Sequence, residues 1–297
     1  MSARGGLDVV IVSYRCRALL RDCLVSLRDF PPQRPINIHV VDNASADGTV
    51  KMVRDEFPEV RLHASGTNLG FSAANNLAIR EGSHQYVLAL NPDTRVTQGA
   101  FDSLLELMDE HPEIGICGCK LVREDGSLDH AAKRSFPTPL SALGHFTGTA
   151  RRSGRLAGYL APEVERGQVD AVNGAFMLMR RRALQEVGFF DEGYWMYMED
   201  LDLCYRFARA GWVTWYEPSV AVVHAKWGSS GKHRRPHLNF AFHYGMYRFY
   251  RTHYAPGRRW TTNVLVYFGI CVKFAGSVVA SGLRRRLLAA RNLSPRT

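Results

Sequence analysis

No acidic residue follows Glu217. The eighty positions after it, 218–297, hold fourteen Lys and Arg and no Asp or Glu. The 297-residue chain carries a net charge of +10, which leaves residues 1–217 at −4. A near-neutral body with a wholly cationic tail is not the charge pattern of an average soluble enzyme. It points to an anionic partner for the tail, either nucleic acid or lipid headgroups. Paired C-x-x-C spacings are also missing. The six cysteines (Cys16, Cys23, Cys117, Cys119, Cys204 and Cys271) fit no zinc pattern and lie among apolar residues, as reduced core thiols do. That usage suits a reducing compartment, hence the cytoplasm. No apolar leader precedes the first strand pattern, so export by the general secretory route is not expected. Internal repeats and low-complexity tracts are absent. With 46% hydrophobic and 22% charged residues the chain is expected to be globular. Its length suits one large domain, or one domain plus an appendage.

Residues 7–14 (LDVVIVSY) form a short apolar, β-branched run, the pattern of a buried strand. Residues 16–29 follow with helical spacing of Leu19, Leu20, Cys23, Leu24 and Leu27. The same alternation continues: strands at 36–42, 60–64, 86–90 and 114–122, helices at 47–57, 71–82 and 99–110. This pitch predicts an α/β fold, with a mostly parallel central sheet and helices on both faces. Ligands in such sheets bind at the carboxyl ends of the strands. Residues 123–168 are rich in Gly, Pro and Arg with weak periodicity, and are read as a long functional loop. Residues 169–179 read as a strand, 199–210 as a helix, and 213–216 and 220–224 as short strands. Residues 226–236 (KWGSSGKHRRP) read as a flexible basic loop.

Polar groups cluster where the strands end. Asp42 closes a strand in VVDNASADGT; its carboxylate can accept from the imide N–H of a uracil or thymine base, or serve only as a local cap. Asn43, Ser45 and Asp47 are capping candidates for the next helix. In NLGFSAANN, residues 68–76, Gly70 allows close backbone approach and Phe71 opens a helix. Asn91-Pro92-Asp93 is either a plain turn or a carboxylate placed for Mg²⁺ or Mn²⁺. Glu199, Asp200 and Asp202 fall within four residues at a helix start, where the helix dipole favours acids. Three acids beside Trp195 exceed what capping needs, and one of them can serve as a general base. His224 ends a strand before a Gly/Ser loop and is a structural histidine or a metal ligand.

Taken together, the strings 9–14, 40–49, 68–76, 90–93 (LNPD), 173–181 (NGAFMLMRR), 188–206 (GFFDEGYWMYMEDLDLCYR) and the His224 loop resemble the family 2 glycosyltransferases of GT-A fold, in their rhamnosyltransferase-like branch. The resemblance runs from about residue 7 to about residue 255. It implies a Rossmann-like catalytic domain over residues 1–230, with a nucleotide-sugar half near 1–122 and an acceptor half near 169–230. Residues 231–297 would form a C-terminal basic, aromatic, helical, membrane-associating extension. The implied activity is inverting transfer from a nucleoside-diphosphate sugar.

Carried onto this sequence, the resemblance gives each candidate a role. Asp42 would hold the base, and Ser13 and Tyr14 would line the nucleoside pocket. Asn68, Gly70, Asn75 and Asn91 would lie along the nucleotide sugar. Asp93 and His224 would hold Mg²⁺ or Mn²⁺, and Asp200 would be the catalytic base. Asp191, Trp195 and Glu199 would lie near the acceptor, with Glu199 and Asp202 equally suited to orienting the base or capping the helix. Two departures stand out. The family's D-x-D is N-P-D here, so one metal carboxylate is missing. The Q-x-x-R-W signature of processive synthases is replaced by RFARAGW around Arg206 and Trp212, which favours addition of a single sugar over polymerisation.

The tail supports a membrane location. Phe240, Tyr244, Tyr247 and Tyr254 share one helical face, expected to pack on the catalytic body. Residues 262–283 are 22 positions with one charge, Lys273. At about 1.5 Å per residue this is just long enough to span a bilayer. Lys273, Ser277, Ser281 and Arg284 recur near helical spacing as a narrow polar stripe. That stripe favours a helix lying in the interface, with the arginines at 284–286 on anionic headgroups; a spanning helix or a core helix are the alternatives. The expected enzyme is therefore peripheral, on the cytoplasmic face of the cell membrane. Its donor would be dTDP-L-rhamnose and its acceptor a polyprenyl-diphosphate-linked saccharide in cell-envelope glycan synthesis. A UDP-hexose donor (galactose or N-acetylglucosamine), a non-catalytic nucleotide-sugar binder, and a nucleic-acid-binding protein using the basic tail are the competing readings. No nucleic-acid motif supports the last, and no nucleic-acid partner is expected.

Overall fold

The computed structural model describes residues 5–137, 165–225 and 235–292, with side chains as far as residue 282. The chain divides into two compact units, Met1–Trp195 with Glu199–Gly231, and Met196–Met198 with Lys232–Thr297.

The first unit is built on one twisted sheet. Strands β1 (Leu7–Ser13), β2 (Ile36–Asp42), β3 (Arg61–Ala64) and β4 (Tyr86–Leu90) pair in parallel in the order β3-β2-β1-β4. Val9, Val10 and Ile11 of β1 are fully buried, as a strand covered on both faces requires. Helices α1 (Arg17–Asp29), α2 (Thr49–Glu56), α3 (Phe71–Glu81) and α4 (Ala100–Glu110) supply the crossovers, with β5 (Thr94–Arg95) between β4 and α4. The sheet continues through β10 (Phe176–Arg180), antiparallel to its neighbours, to β6 (Ile114–Val122), β11 (Val213–His224) and β5. Strand β8 (Gly167–Gln168) pairs with β11, and β7 (Lys133–Arg134) pairs with β9 (Ala171–Val172) as a separate ribbon. Helix α5 (Arg181–Val187) follows β10, and α6 (Glu199–Arg209) precedes β11. The result is the mostly parallel sheet with helices on both faces that the alternation predicts.

Three details differ from the sequence reading. The apolar run 169–179 is broken into β9 and β10, because the Asn173 carbonyl accepts from Phe176 N–H (3.2 Å) and its side-chain Oδ1 from Ala175 N–H (2.8 Å), which makes a turn. The two short strands expected at 213–216 and 220–224 are one strand with an irregularity between Glu217 and Ala221, where Pro218 interrupts the ladder. The described flanks of the loop expected at 123–168 are ordered by β7 and β8, and the rest of that loop, with most of the basic loop at 226–236, lies outside the described residues.

The register fixes where polar groups collect. Ser13 lies opposite Asp42, and Ile11 opposite Leu90, so β1, β2 and β4 finish at one edge of the sheet. Phe176 opposite Leu90 brings Gly174 and Ala175 to that edge. His224 pairs with Thr94 there, closing the row.

The second unit holds α7 (Pro236–Phe249), a π-helical turn (Tyr250–Tyr254) and α8 (Trp260–Asn292). Aromatic rings join them: Tyr247 meets Tyr267 at 5.2 Å and Phe240 meets Phe274 at 6.1 Å between centroids. The aromatic stripe of α7 thus finds its partners on α8, and the π turn carries Tyr254 off the α-helical spacing. The inner face of α8 is the partly polar one; Asn239 Nδ2 donates to Ser277 Oγ (2.8 Å), and Tyr250 donates its hydroxyl to Asn263 Oδ1 (2.7 Å). The polar stripe around Ser277 therefore faces α7. The other face of α8 is apolar and exposed: Leu265, Phe268 and Val279 are 70%, 67% and 62% accessible. Trp260–Gly282 is, by length and composition, long and apolar enough to cross a membrane. The side chains at 284–286, read as headgroup contacts, lie outside the described ones.

Candidate active site

Two clusters of charge form at the carboxyl edge of the sheet. The first is Asp93–His224–Asp129. Asp93 follows the Asn91 turn; the Asn91 carbonyl accepts from Thr94 Oγ1 (2.7 Å), while Asn91 N–H donates to Ala175 (2.9 Å). The carbonyl of Asp93 accepts from Ala225 N–H (2.8 Å), tying the turn to the end of β11. This places Asp93 Oδ1 3.4 Å from His224 Nε2, and Asp129 Oδ2 3.2 Å from His224 Nδ1. All three side chains are at least nine-tenths buried. Burial alone lowers the affinity of His224 for its second proton. Hydrogen bonds and charge from Asp129 and Asp93 outweigh it and hold the pKa up at about 9.

Asp93 and His224 offer a carboxylate and an imidazole from adjacent chain segments, and Asp129 fixes the far nitrogen of the ring. That is the support metal-bound histidines require. This donor set, a carboxylate and an imidazole, suits a divalent ion, which Asp93 and His224 could hold once His224 releases its proton.

The second cluster surrounds Asp200. Helix α6 forms because Leu201, Leu203, Cys204 and Phe207 bury one face, and its three acids sit in the first turn, where the dipole favours them. Asp202 pairs with Arg206 (2.8 Å), whose guanidinium also holds the carbonyls of Val187, Gly188 and Phe189, so this acid is structural. Asp200 instead accepts from Gly174 N–H (3.0 Å) and from Leu201 N–H (2.8 Å), and its Oδ2 pairs with Arg134 of β7. Gly174 is the neighbour of Ala175, which bonds Asn91, so Asp200 and the Asn91–Asp93 turn share one end of the sheet. Glu199 is buried and has no hydrogen-bond partner on Oε2. Burial, reinforced by the Asp200 charge, pushes its carboxyl well above the ordinary range. Glu199 therefore holds its proton at neutral pH far more readily than an ordinary glutamate.

On the donor side, Asp42 is buried, with Oδ2 accepting from Ser45 N–H (3.1 Å) and Oδ1 without a partner. A base N–H would satisfy that orphaned oxygen. Ser13 Oγ lies 3.3 Å from Cys16 Sγ, and Arg15 lies over the Tyr14 ring at 5.1 Å. Asp47 receives Thr49 N–H (3.1 Å) at the start of α2, whereas Ser45 accepts from Arg15 N–H (2.9 Å) and Asn43 bonds Gly70 and Leu69. None of the three capping candidates occupies the N-cap of α2, which is Gly48; Asp47 turns the chain onto Thr49 just before it, and the other two tie loops together.

Asn68 Oδ1 accepts from Gly70 N–H (2.9 Å), and Asn75 Nδ2 donates to Phe71 within α3 (2.9 Å). Asn76, its neighbour, joins α3 to Phe190 and Glu192 through Nδ2 (2.8 and 2.9 Å). Asp191 Oδ1 accepts from Gly193 N–H (2.9 Å) in a turn. Gly70 lies against Trp195: its φ is +83°, Phe71 N–H donates to the Trp195 carbonyl (2.8 Å), and a Cβ at Gly70 would fall 2.5 Å from that residue. Gly70→Ala is therefore expected to lose roughly 2–4 kcal/mol of stability, from backbone strain and displacement of Trp195. Thermal melts and tryptophan emission check this; an unchanged midpoint and spectrum would contradict the contact.

Sequence reasoning missed Arg134 and Asp129. Both lie on the flank of a stretch without periodicity, and their partners are 66 and 95 residues away. No local signal marks them. Cysteine chemistry is not offered: burial pushes the thiols of Cys23 and Cys204 up to about 12.

Residues 8–188 match the family model for glycosyl transferase family 2. The chain is 34% identical over 253 residues to an N-acetylglucosaminyl-diphospho-decaprenol L-rhamnosyltransferase of Mycobacterium tuberculosis, covering 78% of this chain and 80% of that one. It is 29% identical to rhamnosyltransferase WbbL of Escherichia coli over 170 residues, 54% of this chain and 63% of the relative. The fold is shared with a solved structure of the mannosyltransferase PcManGT from Pyrobaculum calidifontis in complex with GDP-Man and Mn²⁺. That likeness has a TM-score of 0.58 at 16% identity and covers 98% of this chain and 80% of the other. This chain belongs to the family 2 glycosyltransferases, in their rhamnosyltransferase-like branch.

Proposed function

We propose that the protein transfers one L-rhamnosyl residue from dTDP-L-rhamnose to a polyprenyl-diphosphate-linked saccharide, with inversion and with a divalent metal. The observation that carries the reading is the placing of Asp200 at the same sheet end as the Asp93–His224 pair. One group accepts a proton where the other holds a diphosphate. The similarity to the mycobacterial enzyme supports the sugar and the lipid-linked acceptor, and the exposed apolar face of α8 supports a membrane location, in the interface of the cytoplasmic leaflet.

In this mechanism the orphaned oxygen of Asp42 accepts from the base, and Ser13, Tyr14, Asn68, Gly70, Asn75 and Asn91 border the donor. Asp93 and His224 would hold Mn²⁺ or Mg²⁺, which supplies positive charge to the departing diphosphate. The acceptor hydroxyl approaches near Trp195 and Asp191. Asp200 Oδ2 exchanges its Arg134 partner for that hydroxyl, while Gly174 N–H keeps the carboxylate in place. The hydroxyl oxygen bonds to the anomeric carbon as the carbon–diphosphate bond breaks, its proton passes to Asp200, and the electron pair leaves with the diphosphate. A single displacement inverts the configuration and needs no protein nucleophile.

Calorimetric titration with a panel of dTDP-, UDP- and GDP-sugars, with Mn²⁺, Mg²⁺ or chelator, tests the donor side. dTDP-L-rhamnose is expected to bind tightest and to lose at least about tenfold in affinity without metal. Asp93→Asn is expected to remove that metal dependence. Preference for a UDP-sugar would overturn the donor, and metal-independent binding by the unaltered chain would overturn the ion's role.

A further inference from the structure

A second constellation, separate from the two charge clusters, lies where β2, β3 and α3 meet. His39 of β2 and His63 of β3 lie on one face of the sheet, since Val41 and not His39 is the register partner of His63. Their rings are stacked 6.1 Å apart at 8°. His63 Nε2 lies 3.3 Å from Glu81 Oε2 at the end of α3. One ligand atom from each of His39, His63 and Glu81 falls within 4.8 Å of the others.

The burial pattern makes the grouping unusual. His39 is fully buried, and neither of its ring nitrogens has a hydrogen-bond partner. Leaving both polar atoms of a buried imidazole unmatched is unfavourable unless a ligand takes one of them. The nearby acid, Asp8, is committed elsewhere: to Arg181 (2.7 Å), Asn37 (3.0 Å) and the N–H of His84 (2.8 Å). Burial also lowers the pKa of His39, against the pull of Asp8 and Glu81 and with help from Arg61 and His63.

We propose that His39, His63 and Glu81 form a second metal site, for a zinc-class divalent ion. Two imidazoles and one carboxylate suit Zn²⁺ or Co²⁺ and are a poor set for Mg²⁺. The fourth position falls to water, because His63 and Glu81 are 20% and 48% accessible and open the site to solvent. Closing the ligands from 4.8 Å to metal-bonding distances requires the two accessible side chains to move toward His39. The role is structural. β3 is the edge strand of the sheet, β2 ends at Asp42, and α3 carries Asn75 and Asn76. An ion here would pin all three elements together, close to the end of β2 that carries Asp42.

The test uses the full chain, freed of any affinity tag and stripped with chelator, then titrated with Zn²⁺ and with Co²⁺. Asp93→Asn serves as background, to remove ions held at the active edge. One equivalent of Zn²⁺ per chain is expected in that background, with visible Co²⁺ absorption of a low-coordinate nitrogen–oxygen site. His63→Ala and Glu81→Gln, both at accessible positions, are each expected to weaken that equivalent at least tenfold while circular dichroism stays unchanged. His39→Gln is expected to abolish it. Absence of any bound equivalent, or equal binding by the His63 and Glu81 variants, would overturn the proposal.

Discussion

Asp200→Asn is expected to lower kcat by roughly 10²–10⁴-fold, the usual contribution of a positioned general base, and to leave donor affinity unchanged. The reason lies in what holds the side chain. Gly174 N–H and Leu201 N–H donate to its two oxygens, and Arg134 pairs with Oδ2. An amide keeps the shape and one acceptor oxygen, which can stay on Gly174 N–H while the bond from Leu201 N–H is lost. It cannot take a proton. Single-turnover measurement with saturating donor separates the chemical step from binding. Wild-type turnover by the variant would remove Asp200 from the mechanism. Glu199, its neighbour, is buried beside the Asp200 charge, and both hold its carboxyl above the ordinary range.

The second large effect concerns the membrane. Leu265, Phe268 and Val272 lie on the outer face of α8, 70%, 67% and 50% accessible. Burying such side chains contributes about 1.5–3 kcal/mol each. Replacing all three by Asn is expected to reduce partition into anionic vesicles by at least about 10²-fold, with melting unaltered, since none of the three is buried in the fold. Sedimentation with phosphatidylglycerol vesicles reads the result. Undiminished binding by the triple variant would assign attachment to the cationic loop and tail alone. In that case high salt should release the protein.

These expectations show which parts of the molecule local sequence carries. The strands and helices of residues 7–122 are legible, because a fully buried strand is a continuous β-branched run and an amphipathic helix repeats its apolar residues every three or four positions. Asp42, Asp93, Asp200 and His224 are legible because they end or begin such elements. What binds them is not. Asp129 orients His224 and Arg134 pairs with Asp200, yet both come from a segment with no period, through contacts between residues far apart in sequence. The interruption at Asn173 and Gly174 is hidden inside an apolar run, although it supplies the N–H that holds Asp200. In the tail, Lys273, Ser277 and Ser281 form the stripe the spacing predicts. Periodicity shows that a helix has two faces and leaves open which is covered. Here α7 covers the polar one, through Asn239 and Ser277, and the apolar face is left outward. Gly70 is legible as a close-approach glycine; that the approaching group is Trp195, 125 positions later, follows only from the fold.

The most direct test of the central claim is the transfer itself. The full chain is incubated with dTDP-L-rhamnose, Mn²⁺ and a polyprenyl-diphospho-N-acetylglucosamine acceptor in vesicles, and the product is read by mass and by anomeric configuration. The account predicts one added deoxyhexose, inverted relative to the donor and lost on adding chelator. A retained anomer, a polymer, or no transfer under conditions where the donor binds would contradict it.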